Sequence, residues 1–381
     1  MAAPQGTDRV DFWTGKRVLI TGHTGFKGGW LALWLQDLGA QVIGLAVDPP
    51  TDPSLFELGH VGEGMVSRYG DVRDFRVVLE AFERHQPEIV FHLAAQPIVR
   101  TSYESPVETI ETNVMGTVHV LEAMRQVKSV RAGVFVTSDK CYENTESELW
   151  GYRETDAIGG RDPYSSSKGG AELMVSAYRR SFFSAKEGTS PERAVATVRA
   201  GNVIGGGDWA DDRLIPDMVR AFSEGRPVHI RRPDSIRPWQ HVLDPLSGYL
   251  QIAQSLWEDE GQRYAEAWNF APRERDAKPV GYVVRQMAER WGDGASAILD
   301  EGTHPHEATY LRLDCSKARV RLGWTSRLSL DEALAWTVDW YQAVLEGKDA
   351  RAMTLEQIHQ FRALRRGAVQ QEEAERPIPI A

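Results

Sequence analysis

The sequence predicts an α/β protein: a doubly wound parallel sheet, with a smaller α/β lobe at the C-terminal end. Three observations predict it. Short strands alternate with helical segments from Arg17 to about Gly205. The strands are apolar throughout, as in sheets covered on both faces. A glycine-rich turn, Gly22-His23-Thr24-Gly25-Phe26-Lys27-Gly28, joins the first strand to the first helix. Together these mark a Rossmann-type dinucleotide-binding domain.

The elements follow in order. RVLIT at 17–21 reads as the first strand and GWLALWLQDLG at 29–39 as a helix that ends on Gly39, a C-cap. AQVIGLAV at 40–47 reads as the second strand, 74–85 as a helix and EIVFHLAA at 88–95 as a buried strand. A long helix is expected over 107–127, a strand over 131–138, a helix over 164–183 and a strand over 194–205. Beyond Gly205 the rhythm breaks into loops rich in Arg and Trp, with helical pieces near 279–291 and 330–345. The expected division is a tail at 1–14, a cofactor domain at 15–205 with later segments crossing back, a mainly substrate-binding lobe at 206–350, and a C-terminal helix and tail at 351–381. The polar end, 367–381, is expected to be mobile.

Composition excludes several classes. The 381 residues are 42% hydrophobic and 26% charged, as in an ordinary globular protein. A net charge of −10 repels a phosphate backbone, so no nucleic-acid partner is expected. The N-terminus lacks the apolar stretch of a signal peptide, and no run reaches membrane-spanning length. A cytoplasmic protein follows by default. The two cysteines, Cys141 and Cys315, form neither a disulfide framework nor a metal-ligand spacing, so no metal is expected.

The glycine turn lets backbone N–H groups approach a pyrophosphate at a helix N-terminus. Asp48, about 20 residues past Gly28, closes the second strand, where a carboxylate binds ribose hydroxyls and repels a 2′-phosphate. NAD is therefore the expected cofactor. His23 and Lys27 are unusual in such a loop; they either contact phosphate or substrate or sit at its mouth. Asp71, before Val72, either meets the adenine amino group or caps the next helix.

Tyr164 and Lys168 stand at i and i+4, on one helix face. A phenol titrates too high to act as a base near neutrality. A neighbouring ammonium and a positive nicotinamide favour the phenolate, so Tyr164 can accept a proton from a sugar hydroxyl. Lys168 can also hold the nicotinamide ribose. Arg231, Arg232 and Arg237 fall within seven residues of one another beside Trp239. Guanidinium groups suit a diphosphate, and only Arg237 is singled out. Trp291, Trp324 and Trp336 read as core, and Cys141 as packing.

With TGHTGFKG, HLAA at 92–95, Asn113, TSDK at 137–140 and YSSSK at 164–168, the chain resembles the extended short-chain dehydrogenase/reductase family, from about residue 15 to 345. Within it the chain is most similar to nucleotide-sugar 4,6-dehydratases. The strings TSDKCYEN, WGYRETDAIGGRDPYSSSKGGAE and RAGNVIGGGDW resemble the branch acting on CDP-glucose. The resemblance implies a hydro-lyase that oxidises C4 of a nucleotide-diphosphate sugar, removes water across C5 and C6, and reduces C6. It implies a cofactor wall of Gly22, His23, Gly25, Phe26, Lys27, Gly28, Asp48, Asp71, Val72, Leu93, Ala94, Ala95 and Asn113. Ser138 matches the hydroxyl beside the 4-OH, Asp139 the acid at the 6-hydroxyl, and Tyr164 and Lys168 the catalytic couple. Gln96, Asn202, Trp209, Arg213, Arg237 and His306 are implied to bind substrate. The helices 107–127 and 164–183 are implied to form a four-helix interface in a homodimer or dimer of dimers.

One position departs from the thymidine-diphosphate relatives, which carry Glu as C5 base where Lys140 stands here. Lys140 is a neutral base if burial and nearby cations depress its pKa, or a charged group that stabilises an enolate, or a salt-bridge partner of an acid such as Asp139. The alternatives are a dehydratase for another nucleotide-diphosphate glucose, a 4-epimerase, and a protein that senses redox state by holding NAD without turnover. Asp139 and Lys140 argue against the epimerase, and the Tyr164–Lys168 pair argues against the sensor.

Overall fold

A computed structural model of the chain describes residues 10–146, 150–184, 193–258, 260–292, 294–300, 302 and 310–374. Six strands come before residue 200: β1 (Arg17–Thr21), β2 (Gln41–Ala46), β3 (Val66–Tyr69), β4 (Ile89–His92), β5 (Ala132–Val136) and β6 (Ala194–Arg199). β7 (Val203–Ile204), β8 (Val228–Ile230), β9 (Ile236–Pro238) and β10 (Gln240–His241) lie outside the main sheet, and β11 (Ala267–Asn269) returns to it. The main sheet has seven parallel strands in the order β11-β6-β5-β4-β1-β2-β3. The order reverses beside β1, the switch point where such sheets bind ligands at their carboxyl ends.

Continuous apolar strands produce this sheet because both faces are covered. Leu19, Val90 and Phe135 face one cluster with the helices Phe75–His85 and Gly116–Gln126. Ile20, Phe91 and Val134 face the other, with the helix Phe26–Asp37, which buries Trp30 through Leu35 in unbroken succession. That helix is apolar all round because further elements cover its outer side. The helix Leu243–Trp257, buried along nearly its whole length, packs against β5 and β6.

Several expectations change in three dimensions. The strand expected over 194–205 ends at Arg199; Gly201 and Asn202 turn the chain, Asn202 at φ +44°, and β7 pairs with β10 instead. The helix over 107–127 is not uniform: Glu111–Met115 form a π-helical turn, a feature that concentrates at functional sites. Residues 10–13 are no free tail, since Val10–Trp13 is helical and Trp13 is fully buried. The helix Ala350–Ala374 includes 367–374, and the remaining tail lies outside the described residues. Its Ile358 and Phe361 are buried, and its His359 and Arg362 both engage Asp37 at the end of the glycine-loop helix. Among the described residues no helix is long and apolar enough to cross a membrane.

Candidate active site

A cleft of about 1450 Å³ runs along the carboxyl ends of the strands. That exceeds the roughly 300–1,000 Å³ of an ordinary small-ligand pocket, so it has room for a dinucleotide and a second ligand. One wall is the glycine loop. Gly22 adopts φ +79°, and a Cβ on Gly28 would lie 2.0 Å from the Gly22 carbonyl oxygen, so neither position tolerates a side chain. Gly25 caps the helix without a side-chain hydrogen bond, which leaves its first N–H groups for a ligand anion. Gly22, Gly25, Phe26, Lys27, Gly28, Asp48, Asp71, Val72, Leu93, Ala94 and Ala95 all line the cleft. This cradle, with a carboxylate at the end of β2, fits NAD.

Two expected cofactor residues stand elsewhere. His23 is fully buried outside the cleft; its Nε2 pairs with Ser67 Oγ at 2.8 Å and its ring meets Phe56 edge-on. Gly44 makes the room, since a Cβ there would lie 2.4 Å from the imidazole. Burial lowers the His23 pKa to about 4, so the ring is neutral. Asn113, in the π turn, is buried behind the wall. Its Oδ1 accepts Gln96 N at 2.9 Å, and its Nδ2 donates to the Gln96 carbonyl and to Ser167 Oγ. It braces the loop after β4 against the Tyr–Lys helix. Gln96 lines the cleft, but its amide is spent on Ile98 in its own loop and on Thr109 in the helix Pro106–Ile110. Asp71 is not the helix cap, a role Asp74 fills. Its carboxylate binds Arg73, which also reaches Glu108.

The centre of the cleft is built by two elements. The helix Pro163–Ser181 starts at Asp162, whose side chain accepts Ser165 N, and its first turns place Tyr164 and Lys168 at the cleft. Both side chains are buried, with Lys168 Nζ 6.0 Å from the Tyr164 ring centre. Opposite, Thr137 follows the end of β5, and Ser138 caps the short turn Asp139–Cys141 by accepting Lys140 N. Ser138 Oγ donates to Asp139 Oδ1 at 2.9 Å. Asp139 Oδ2 is buried and has no hydrogen-bond partner among the described residues.

The electrostatics differ from the sequence-based expectation. Burial pushes the Tyr164 phenol up to about 12, although a hydrogen bond with Ser138 pulls the other way. Asp139 raises it further and Arg213 lowers it, and burial lowers Lys168 itself to about 8. Low-dielectric surroundings penalise both charged forms. Lys27 is likewise lowered to about 8, first by burial, then by Arg213 and Lys168, with Asp139 and Asp208 opposing. Lys140 is exposed in the cleft and forms no ion pair among the described residues, so of its three readings the salt bridge with Asp139 is not formed there.

The far wall carries Asn202, Trp209, Arg213, Arg231, Arg232 and Arg237. Arg213 pairs with Asp208 at 2.8 Å, and Tyr341 donates to the Asp208 carbonyl. Trp209 meets Tyr341 edge-on at 5.2 Å. His306 lies outside the described residues. Trp324 is buried, Trp291 and Trp336 pack on the core, and Cys141 is a buried thiol whose pKa burial raises. Sequence reasoning missed Arg100 and Asp212, which pair across the cleft at 3.0 Å, and the buried Glu172 and Arg199. Glu172 alone left a signal, as the acid one helical turn past Lys168.

The model of the family described as GDP-mannose 4,6 dehydratase matches residues 19–337. CDP-glucose 4,6-dehydratase of Salmonella typhimurium is 56% identical over 339 residues, covering 89% of this chain and 94% of the relative. The structure of MoeE5 with UDP-glucuronic acid and NAD superposes with a TM-score of 0.70 at 25% identity, covering 86% of this chain and 99% of that one. UDP-glucose 4-epimerase of Thermotoga maritima superposes with a TM-score of 0.74 at 21% identity over 86% of this chain and 99% of its own.

Proposed function

The chain belongs to the GDP-mannose 4,6 dehydratase family, and on that premise we propose that it is an NAD-dependent hydro-lyase converting CDP-D-glucose to CDP-4-keto-6-deoxy-D-glucose. The nucleotide rests on the 56% identity to the Salmonella enzyme of that name. The chemistry rests on one observation: Asp139, with a buried unpartnered oxygen, stands on the segment that faces Tyr164 through Ser138. C4 oxidation needs Tyr164 and Lys168; loss of the 6-hydroxyl needs an added acid.

When bound, NAD supplies the acceptor and later the donor of one hydride. Ser138 orients the sugar 4-hydroxyl toward Tyr164, which takes its proton as the C4 hydrogen leaves as hydride. The resulting ketone acidifies C5–H, and Lys140, exposed in the cleft, takes that proton in its neutral form. Asp139 protonates the 6-hydroxyl, which departs as water. Lys140 gives its proton back to C5 and the Tyr164 proton replaces the one that Asp139 gave up, so that with the hydride NAD would return to C6 the net change is loss of one water. Lys168, buried, and Lys27, partly buried, are cations near the centre that favour the anionic states along this path. Arg213 and Arg237 hold the diphosphate, with Asn202 and Trp209 beside them.

Residues 206–350 form mainly the substrate side in this reading, with β11 returned to the cofactor sheet. The exposed side chains Tyr103, Val107, Ile110, Met115, Leu173 and Phe182 support a homodimer through the helices 107–127 and 164–183. A Leu173→Asp variant that sediments like the wild type defeats that interface. Two free thiols fit the cytosol as its compartment.

The test is to incubate the protein with NAD and a panel of nucleotide-diphosphate glucoses and follow the sugar by mass. Loss of water, most efficient with CDP-glucose, is the expected result. A new stereoisomer of unchanged mass means a 4-epimerase, preference for another nucleotide corrects the substrate, and no product leaves a binding protein.

A further inference from the structure

Glu172 and Arg199 form an ion pair that is almost completely inaccessible, at 6% and 3% relative exposure. Arg199 Nε and Nη2 donate to the two Glu172 oxygens at 2.8 and 2.7 Å. A buried pair of this kind is weak evidence for stability, because desolvation offsets the attraction. Its surroundings indicate another use. Thr137 Oγ1 donates to Glu172 Oε1 at 2.6 Å, and Arg199 Nη1 donates to the Tyr142 hydroxyl at 2.7 Å. Thr137 and Tyr142 are the residues immediately before and after Ser138–Cys141.

The pair therefore grips both ends of the segment that carries Ser138, Asp139 and Lys140. Tyr142 is held further by donating to Asn269 Oδ1 at 2.7 Å, by the Arg199 guanidinium 4.8 Å over its ring, and by stacking on Tyr152 at 5.2 Å. Thr197 Oγ1 fills the remaining acceptor position at Glu172 Oε2, 2.7 Å away. Glu172 also belongs to the helix of Tyr164 and Lys168, one turn further on. One ion pair thus ties the Tyr–Lys helix, β6 and the end of β5 together.

We propose that Glu172 and Arg199 are positioning residues that set the Ser138–Lys140 segment against Tyr164, so that water loss depends on them more than C4 oxidation does. The proposal rests on the dehydratase reading above. Tyr164 and Lys168 are placed by their own helix, whereas Asp139 and Lys140 ride on a short turn whose two ends the ion pair holds. Burial pushes the Glu172 carboxyl up, but Arg199 and the two threonine hydroxyls outweigh it and hold it ionised.

The test uses the full enzyme and two variants that each delete one hydroxyl, Thr137→Val and Tyr142→Phe, alongside Glu172→Gln. Single-turnover reduction of NAD reports C4 oxidation. Deuterium uptake at C5 and water loss report the later steps. In Thr137→Val and Tyr142→Phe, water loss should fall about tenfold to a hundredfold, since sub-ångström to ångström misplacement has that effect. Oxidation should stay within about threefold of wild type, so reduced cofactor accumulates, and KM should hardly move. Equal loss of both partial reactions, as a purely structural role would give, overturns the proposal, and so does unchanged water loss. The hydroxyl-deletion variants decide the matter even where Glu172→Gln fails to fold. A wild type that dehydrates no nucleotide-diphosphate glucose instead overturns the functional reading on which the proposal stands.

Discussion

Asp139 rests directly on Gly201: a Cβ at position 201 would lie 1.8 Å from Asp139 Oδ2. The contact joins the turn after β5 to the bend that ends β6. A methyl group at 201 must push the carboxyl toward the cleft or tilt the whole turn. Gly201→Ala should therefore lower dehydration about a hundredfold while single-turnover reduction of NAD persists. Parallel rates for wild type and variant in a mass assay would show that Asp139 is not the acid.

Lys168 sets function against stability. Burial lowers its pKa from 10.5 to about 8. Between those values the unfolded chain binds the extra proton, so stability rises with pH across that window, and the full cost is present below about pH 8. The shift corresponds to about 3 kcal/mol for this nearly inaccessible side chain. Lys168→Met should abolish turnover and yet melt at the same temperature or a few degrees higher at pH 7. A clear fall in Tm would contradict this account.

Three buried histidines set the acid limb of stability. Burial lowers His23 to about 4 and His92 and His241 to about 3. Below their unfolded value near 6.5 the unfolded chain binds more protons, so each removes up to about 1.4 kcal/mol per pH unit as pH falls. Asp244, raised by burial to about 7, acts in the opposite direction between pH 7 and its unfolded value. The net effect is roughly 3 kcal/mol per unit below pH 6. Denaturant midpoints at pH 7 and pH 5 should differ steeply; a flat profile would mean that the histidines titrate normally in the fold.

Lys140 stands exposed in the cleft while its neighbour Asp139 is buried. Lys140→Met should keep C4 oxidation, seen as bound reduced cofactor, and lose deuterium exchange at C5. Exchange at the wild-type rate would exclude Lys140 as the base and leave it a role in binding.

Much of the fold was legible in the sequence. The strands at 17–21, 40–47, 88–95 and 131–138 and the helices at 74–85 and 164–183 stand within a few residues of the structure, because apolar runs and i, i+4 spacing are local properties. The site was legible where a motif fixes local geometry, as in Gly22, Gly28, Tyr164 and Lys168. It was not legible at His23 and Asn113, which match their motif positions yet face inward. The sequence carries no mark that Gly44 and Ser67 make a seat for one, or that Gln96 and Ser167 claim the other.

By itself the sequence determined the parallel sheet, the dinucleotide loop and the Tyr–Lys pair, since each depends on spacings of a few residues. Only the tertiary structure decided which polar groups reach the cleft and what holds them there. Arg199 meets Glu172 across 27 positions and Trp30 meets Gly206 across 176. Burial, which sets the charge of His23, Tyr164 and Lys168, arises from neighbours that distant. A pattern along the chain records which side chains are available, while the packed core decides which of them lose water and find partners.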